Sequence, residues 1–449
     1  MINILIIAGL LALLIQAMLC YVAWPSRWNL AGHLSIGFCL AAYIIPTLFT
    51  AVWDEYPNYI VQKYVEINTI GAIAMLLGTI VGIRISNPQR LGMHIARSFS
   101  MQANLGKSLR ALEISTLIGL VGLALAYWKM GFAPLLTPDP FMARFFKGAY
   151  QTAYERVAYL YRFSFFLLAT TLPLLMVALY IRRKLRYLIY AISAFGLIAL
   201  SLSRGPLGIG VLVFLGMLAA SKRGWLKVYI LFAAFSFLLG SGLYIVYGTI
   251  TGSQRFDTVT DIGESLVEQV ASGAPDISDQ LDFLQRFQKY GEFTYGRTIY
   301  GGLVPYHYSW NPGVWTLTMG RSDLDVSEIG SGGLRLTPSL WGYVDFGWIG
   351  VFVIPFISGM ITGWWGCLMR WGKFELSLYA GTLLMLLYMN LGAQMSSFYT
   401  LSFYSVPPAI VVLMLIWMLL PKRQLRFEDL SGTPNRCDRF SNHESYGRK

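Results

Sequence analysis

Apolar runs of roughly 20 residues, the length a helix needs to cross a bilayer, recur along most of the chain. A transmembrane β-barrel would alternate apolar and polar residues along each strand, and these runs do not. The fold class expected is therefore all-α, a polytopic transmembrane bundle. Its ninth span contains Pro355 and several glycines, is longer than one crossing requires, and is expected to be tilted, broken or partly outside the membrane. The predicted spans are eleven: 2–24, 30–53, 67–84, 110–129, 160–181, 187–203, 206–220, 228–250, 338–368, 376–396 and 400–420.

Composition and charge agree with a membrane protein. Charged residues make up 13% of the chain, against about 25% in soluble proteins. The net charge of +12 comes largely from basic clusters beside the apolar runs, which set membrane orientation, so nucleic-acid binding is not expected. The clusters at 84–110, 182–186, 222–227 and 370–373 fall on one side of an eleven-span bundle. By the positive-inside rule, this predicts a bacterial inner-membrane protein with its N-terminus outside and its C-terminus in the cytoplasm.

Four parts of the chain follow from this topology. Residues 1–250 hold spans 1–8 with a basic interfacial segment at 130–160, and 251–337 form a large outer loop with eleven acidic and six basic residues. Residues 338–421 hold spans 9–11, and the polar tail 422–449 is expected to be disordered. The first apolar run lacks a basic start and a cleavage site, so a retained helix is expected.

The four cysteines and the rest of the chain show no metal-ligand spacing, and no cofactor is expected. No P-loop and no Gly-x-Ser-x-Gly motif is present, and no Asp-x-Asp is expected to hold a nucleotide-sugar through a metal. Carboxylates are available at Glu292, Asp323, Asp325, Glu328 and Asp345, but none stands out by spacing.

Arg204 is the single charge in the apolar stretch 187–220, in a tight turn expected at the outer interface. A guanidinium there is costly unless it meets a carboxylate, a phosphate or water. Its planar fork suits the oxygens of a lipid-linked pyrophosphate. The competing interpretation is an interfacial arginine that snorkels to lipid headgroups.

The segment 130–162 combines aromatic and basic residues. Residues 141–162 are predicted to form one helix along the interface, with Tyr150, Tyr154, Val157 and Tyr161 on one face. The basic residues on this segment are candidate contacts for a pyrophosphate headgroup and its sugars: Arg144, Lys147, Arg156 and Arg162. An ordinary aromatic belt at the membrane surface is the alternative.

The loop 251–337 changes character near Tyr290. Its first part is predicted to be helical and amphipathic, with Leu266, Val270, Leu281, Leu284 and Phe287 on a polar background. Its second part is rich in glycine and aromatic residues, a composition that fits sugar binding, although a loop anchored on the membrane surface would share it. His307, the one histidine expected outside the cytoplasm and membrane, is a candidate general base, but a structural role remains open. The other candidate site residues of this loop are Arg286, Tyr295 and Arg297.

Several motifs together resemble the Wzy-type O-antigen polymerases, a family that joins oligosaccharide repeat units. They are the Arg-Gly turn at 204–205, the Tyr-Gly-Arg-Thr run at 295–298, and the stretch from Pro338 to Gly350 that ends in an aromatic-Gly-x-x-Gly pattern. The family's Arg-x10-Gly motif is matched by Arg321 and Gly332 in the long loop, and by no arginine of the shorter loop.

The resemblance implies a GT-C-like, metal-independent glycosyltransferase at the periplasmic face. The donor would be a growing glycan on undecaprenyl pyrophosphate, and the acceptor a repeat unit on the same carrier. Arginines would stabilise the departing pyrophosphate, and His307 or a loop carboxylate would take the acceptor's proton. Membrane lipids and a chain-length regulator are the other partners implied. Two alternatives remain open at this point: an O-antigen ligase, whose pattern centres on a histidine in the large loop, and a transporter of lipid-linked sugars.

Overall fold

A computed structural model of the chain describes residues 4–49, 51–86, 104–236, 276–304, 309–320, 333–371, 377–403 and 406–419. Within these ranges the protein is all-helical, with no strand. The helices are α1 Ile4–Ala23, α2 Leu30–Phe49, α3 Asn58–Ile85, α4 Leu105–Met130, α5 Pro140–Phe145, α6 Gln151–Glu155, α7 Ala158–Arg182, α8 Leu185–Leu200, α9 Arg204–Ser221, α10 Asp276–Tyr290, α11 Arg297–Gly301, α12 Pro312–Gly320, α13 Pro338–Trp371, α14 Leu378–Leu387, α15 Ala393–Ser396 and α16 Val406–Leu419. Residues 226–236 are also helical.

Six of the described helices are long and apolar enough to cross a membrane, namely α1, α2, α3, α4, α7 and α13. Three shorter apolar helices accompany them, α8, α9 and α16. These helices agree with the predicted membrane protein. The third helix begins at Asn58, however, so the outer loop predicted at 54–66 is shorter than expected, because Tyr64 and Val65 pack inward.

The helices α3 and α13 pack against each other along a seam of glycines. Gly78 and Gly82 of α3 lie against the backbone of Phe356 and Met360, with no room for a Cβ. Gly359 and Gly363 of α13 lie in the same way against the backbone of α3. Two Gly-x-x-x-Gly motifs therefore face each other, the small-residue packing that lets membrane helices approach closely.

The helix α13 is broken at Phe346 and Gly347, where the backbone leaves helical geometry. A Cβ on Gly342 would overlap the carbonyl oxygen of Gly350. Eight residues of straight helix would separate these two positions by about 12 Å. The arm 338–345 is therefore folded back against the start of the long arm. Of the three arrangements expected for the ninth span, the described helix shows a break, and it lies at Phe346–Gly347.

The predicted single helix over 141–162 is wrong. The segment forms α5, a short 3-10 turn at Gly148–Tyr150 and α6 before α7 begins at Ala158. The chain turns at Phe146 (φ 54°) and Gly148 (φ 58°), two left-handed positions that end α5. The turn buries Phe146 and stacks its ring on that of Tyr154, 3.8 Å between centroids.

The helix α10 agrees with the predicted amphipathic helix over the part of it that is described. Leu281, Leu284 and Phe287 are buried, while Leu266 and Val270 lie outside the described residues. Phe287 meets the rings of Trp315 in α12 and Tyr343 in α13, at 6.3 and 6.0 Å. Such aromatic pairs fix α10 on the end of the bundle.

Candidate functional site

The turn that contains the Tyr-Gly-Arg-Thr run is held by a buried carboxylate of α13. Thr294 and Thr298 both donate hydrogen bonds from Oγ1 to Oδ1 of Asp345, the second at 2.7 Å. The backbone N–H groups at 294 and 295 donate to the carbonyl oxygens of Val344 and Asp345, each at 3.0 Å. All three side chains are fully buried. Two motifs that lie up to 51 residues apart in sequence therefore form one unit.

Two successive left-handed residues start α11 from this turn. Tyr295 has a φ of 51° and Gly296 a φ of 78°, a conformation that glycine adopts without strain. A Cβ at Gly296 would also stand 3.1 Å from the ring of Phe346. The geometry turns the Tyr295 side chain outward, and Tyr295 is 71% exposed.

Arg297 is the first residue of α11 and is exposed. Its guanidinium carbon lies 4.8 Å from the centre of the Trp310 ring. No carboxylate in the described ranges pairs with it. A guanidinium stacked on an indole is oriented by the ring while its N–H edges stay available to phosphate oxygens.

The helix α11 rests on the segment that follows α15. The backbone N–H of Phe403 donates to the carbonyl oxygen of Gly302 at 3.0 Å. The Phe403 ring in turn meets that of Tyr159, at the start of α7, edge to face at 5.7 Å. Through these contacts the outer-loop turn adjoins the end of the basic segment 130–162.

Within the basic segment, the side chain of Arg162 is held in place by aromatic residues. Its Nε donates to the hydroxyl of Tyr154 at 2.6 Å. Its guanidinium lies 5.5 Å from the ring centres of both Phe146 and Tyr154. Lys147 is buried nearby, 6% exposed, so positive charge is concentrated where the predicted interfacial helix is broken.

The turn between α8 and α9 meets the same aromatic group. The hydroxyl of Ser201 lies beside those of Tyr127 and Tyr161, and Tyr127 donates to the carbonyl oxygen of Leu197 at 2.9 Å. The next helix begins at Arg204. The backbone of Arg204 is therefore brought to the basic segment; its side chain lies outside the described part of the structure.

The remaining predicted site residues divide into two sets. Arg144, half-buried, lies over the ring of Phe145, and Arg156 is exposed. Arg286 pairs with Asp282 one turn earlier on α10, at 3.0 Å, which lowers its value as a ligand contact. The predicted residues that lie outside the described ranges are His307, Arg321 and Gly332.

Asp345 was available in sequence as one carboxylate among several, and its role is visible only in the fold. The signal that bears on it is the pair Thr294 and Thr298, four residues apart on either side of the left-handed turn that starts α11. Its second carboxylate oxygen, Oδ2, is buried and has no hydrogen-bond partner among the described residues. The carboxylate acts on the site through the turn it holds.

The arrangement offers phosphate-binding cations beside exposed aromatic faces. Arg297 and Arg162 supply the cations, while Tyr295 and Tyr300, the latter 48% exposed, supply exposed ring faces of the kind on which a sugar can stack. Within the described ranges, no group of three or more His, Cys, Asp and Glu side chains could hold a metal ion. In comparisons with known proteins, no family model, curated protein or solved structure matches the chain.

Proposed function

We propose that the protein is a polymerase of lipid-linked oligosaccharide repeat units. The observation that carries this proposal is the Asp345-held turn, which presents Arg297 on the Trp310 ring together with the exposed Tyr295. An oriented guanidinium beside exposed aromatic rings suits a substrate that joins sugars to a pyrophosphate. The contact of Phe403 with Tyr159 adds the cations of the basic segment to the same end of the bundle.

The reaction needs neither a nucleotide nor a metal. The bond between the donor sugar's anomeric carbon and the pyrophosphate oxygen breaks, and a bond to the acceptor's hydroxyl oxygen forms. The pyrophosphate leaves with the electron pair, and Arg297, Arg162 and Arg204 stabilise the charge that develops on it. The acceptor's proton passes to a base, for which His307, three residues before Trp310 in sequence, is our candidate.

The topology proposed with this function is an eleven-span, GT-C-like bundle in a bacterial inner membrane. The N-terminus and the 251–337 loop lie in the periplasm, and the C-terminus lies in the cytoplasm. The four basic clusters at 84–110, 182–186, 222–227 and 370–373 support this orientation. Growing glycan on undecaprenyl pyrophosphate is the donor, and the same carrier bears the acceptor unit.

The test uses purified full-length protein in lipid nanodiscs with an undecaprenyl-pyrophosphate-linked repeat unit as the only substrate. We expect a ladder of lengthened, carrier-linked glycan on gels, without added metal or nucleotide. In a deletion strain of the host, surface glycan should be capped with a single repeat unit. Normal long-chain glycan in that strain would overturn the proposal.

The same strain and the protein reconstituted in vesicles separate the two other functions. A lipid A core without any glycan, together with accumulated carrier-linked polymer, would show a ligase. Carrier lipid that crosses the vesicle membrane but is never lengthened would show a transporter. Either result contradicts the polymerase proposal.

A further inference from the structure

A half-open cavity of about 490 Å³ lies inside the bundle, away from the turn that presents Arg297. Its walls come from α1, α2, α13 and the end of α14, and its volume falls in the range of about 300–1,000 Å³ typical of small-molecule sites. Leu13, Ala17 and Phe38 are among its apolar wall residues. Arg335, three residues before the start of α13, lines one end.

Two π-helical turns border this cavity. Leu40–Ile44 interrupts α2 and Tyr388–Gly392 follows α14, and both contribute wall residues, Tyr43 and Tyr388 among them. A π turn inserts a residue into a helix and displaces its neighbours, and such turns are frequent at functional sites. Beside the cavity, the glycines of the α3–α13 seam bring the two backbones into contact.

Three hydroxyl groups on the walls donate hydrogen bonds within the protein. Thr362 donates to the carbonyl oxygen of Ser358, and Ser396 to that of Gly392, each at 2.9 Å. Thr337 donates to Asn68 at 2.9 Å. A hydroxyl that already donates a hydrogen bond within the protein can lie against an apolar ligand without needing water as a partner. At these three positions the wall therefore accepts an apolar chain without leaving a hydroxyl unpaired, and Leu13, Ala17 and Phe38 add apolar surface.

Arg335 is the cation at the end of this surface. Its guanidinium lies 4.9 Å from the centre of the Phe38 ring, and its Nη2 lies 2.8 Å from Oδ1 of Asp276. The side chain remains 66% exposed. Because a guanidinium has five N–H donors, this one ion pair leaves most of them for a ligand.

The backbone at Arg335 is fixed from the other side. Gln280 of α10 donates from Nε2 to the carbonyl oxygen of Arg335 at 2.6 Å and to the hydroxyl of Tyr43 at 2.9 Å. Tyr64 donates to Oε1 of the same glutamine at 2.7 Å. The outer-loop helix thus holds Arg335 at the end of the cavity, which is the preorganisation a binding site requires.

We propose that this cavity binds a lipid phosphate, with the hydrocarbon chain along the apolar walls and the phosphate on Arg335. An apolar cavity with a stacked arginine at its end matches an amphiphile whose head is a phosphate group. The binding site stands independently of the polymerase assignment. Its role as the seat of one of two carrier lipids, with the other at Arg297, rests on the proposed function.

The test measures binding of radiolabelled undecaprenyl phosphate to the full-length protein in detergent, without any glycan. Parallel arms use phosphatidylglycerol, uncharged polyprenol and inorganic phosphate as competitors. We expect polyprenyl phosphate to bind and polyprenol to compete at least about tenfold more weakly, as one charged contact is lost. Competition by phosphatidylglycerol assigns the site to bulk phospholipid, and failure to compete assigns it to an isoprenoid carrier; both outcomes uphold a lipid-phosphate site. Equal competition by inorganic phosphate would overturn the chain-binding part.

Two changes should weaken binding and one should not. Ala17→Phe places a ring in the cavity, and Ser35→Leu repeats the test from the opposite wall, so that one variant that fails to fold does not end the experiment. Each should weaken binding by about tenfold or more. Ile15→Phe adds a ring on the same helix at a position 42% exposed that does not line the cavity, and it should bind as the wild type does.

Unchanged binding in folded Ala17→Phe and Ser35→Leu proteins would overturn the inference. This outcome is distinct from failure of the proposed function, because lipid binding is measured without elongation. Protein that binds the lipid but never lengthens glycan contradicts the polymerase alone. Protein that lengthens glycan but binds no lipid in the cavity contradicts the cavity site alone.

Discussion

Arg297 and Arg335 both belong to the segment 251–337, and each lies over an aromatic ring. Arg297 is stacked on Trp310 at 4.8 Å and has no carboxylate partner among the described residues. Arg335 is stacked on Phe38 at 4.9 Å and shares its charge with Asp276. The rings orient both side chains, while the ion pair distinguishes them.

The buried carboxylates near the two arginines act in different ways. Asp345 receives hydrogen bonds from Thr294 and Thr298 and supports Arg297 through the backbone of the turn. Asp276 touches Arg335 itself. One arginine is therefore presented with its full charge, and the other is partly neutralised until a ligand competes for it. Substitutions at the unpaired Arg297 and at the paired Arg335 should therefore have different effects.

The largest effect is expected at Arg297. Replacement by alanine should lower polymerisation by roughly a hundredfold to a thousandfold, because one preorganised charge on the leaving group is lost. Arg297→Lys should restore only part of the rate, since an ammonium lacks the planar fork. The initial rate of polymerisation and the length of the carrier-linked glycan are measured for the alanine and the lysine variant. The matched control is Arg286→Ala on α10, whose loss should leave the rate close to that of the wild type; equal losses in the two variants would remove the special role of Arg297.

The next effect is expected at the carboxylate that holds the turn. Thr298→Val removes one hydrogen bond to Asp345 without changing the shape of the side chain, and should lower the rate by about tenfold. Amide hydrogen exchange over residues 294–301 should become faster at the same time. Thr382→Val is the control, because Thr382 is also fully buried but donates to its own helix, at Leu378. A slower rate without faster exchange would mean that Asp345 does not act by positioning.

The hydropathy pattern predicts where the long helices lie because each run must satisfy its backbone internally and face lipid. The same pattern predicts the amphipathic α10. The length of the ninth span predicts a departure from one straight crossing, but not that the break falls at Phe346–Gly347. It does not give the stop at Phe146, since residues 141–162 keep helical spacing while the left-handed turn depends on burying Phe146 against Tyr154.

The candidate site is less predictable than the helices. Tyr295 and Arg297 are recognisable as motif residues. The contact between Thr294 and Asp345, however, joins positions 51 residues apart, and a local sequence pattern does not predict contacts over such a separation. The cavity depends on two π turns, whose sequences resemble ordinary helix. The pair of Asp276 and Arg335 likewise joins residues 59 apart, and no spacing rule connects them.

A smaller effect is expected when the ion pair at Arg335 is broken. Arg335→Ala should lower the free energy of unfolding by about 1–3 kcal/mol, towards the lower end because the arginine is exposed, since it leaves a buried carboxylate without its cation. Arg297→Ala should cost less stability, as no carboxylate depends on it. The double variant Asp276→Asn with Arg335→Ala should recover most of the loss in thermal melting. If the double variant melts no higher than Arg335→Ala alone, the ion pair is not the cause.

The smallest effect is a pH dependence that should belong to one arginine and not to the other. Burial raises the pKa of the Asp276 carboxyl, and the Arg335 guanidinium lowers it only in part. The other groups that face Asp276 are Gln280, which does not titrate, and the phenols of Tyr43 and Tyr64, which ordinarily titrate near about pH 10. A carboxyl whose pKa is raised in the folded protein adds to the free energy of unfolding at a pH below its ordinary pKa. That contribution is lost as the pH rises through the raised pKa. Asp276→Asn should therefore melt close to the wild type at about pH 4 and gain on it towards about pH 7, by less than about 1 kcal/mol. Arg297→Ala should follow the wild type across the same range, and a constant gap between Asp276→Asn and the wild type would show that the carboxyl is not perturbed in the folded protein.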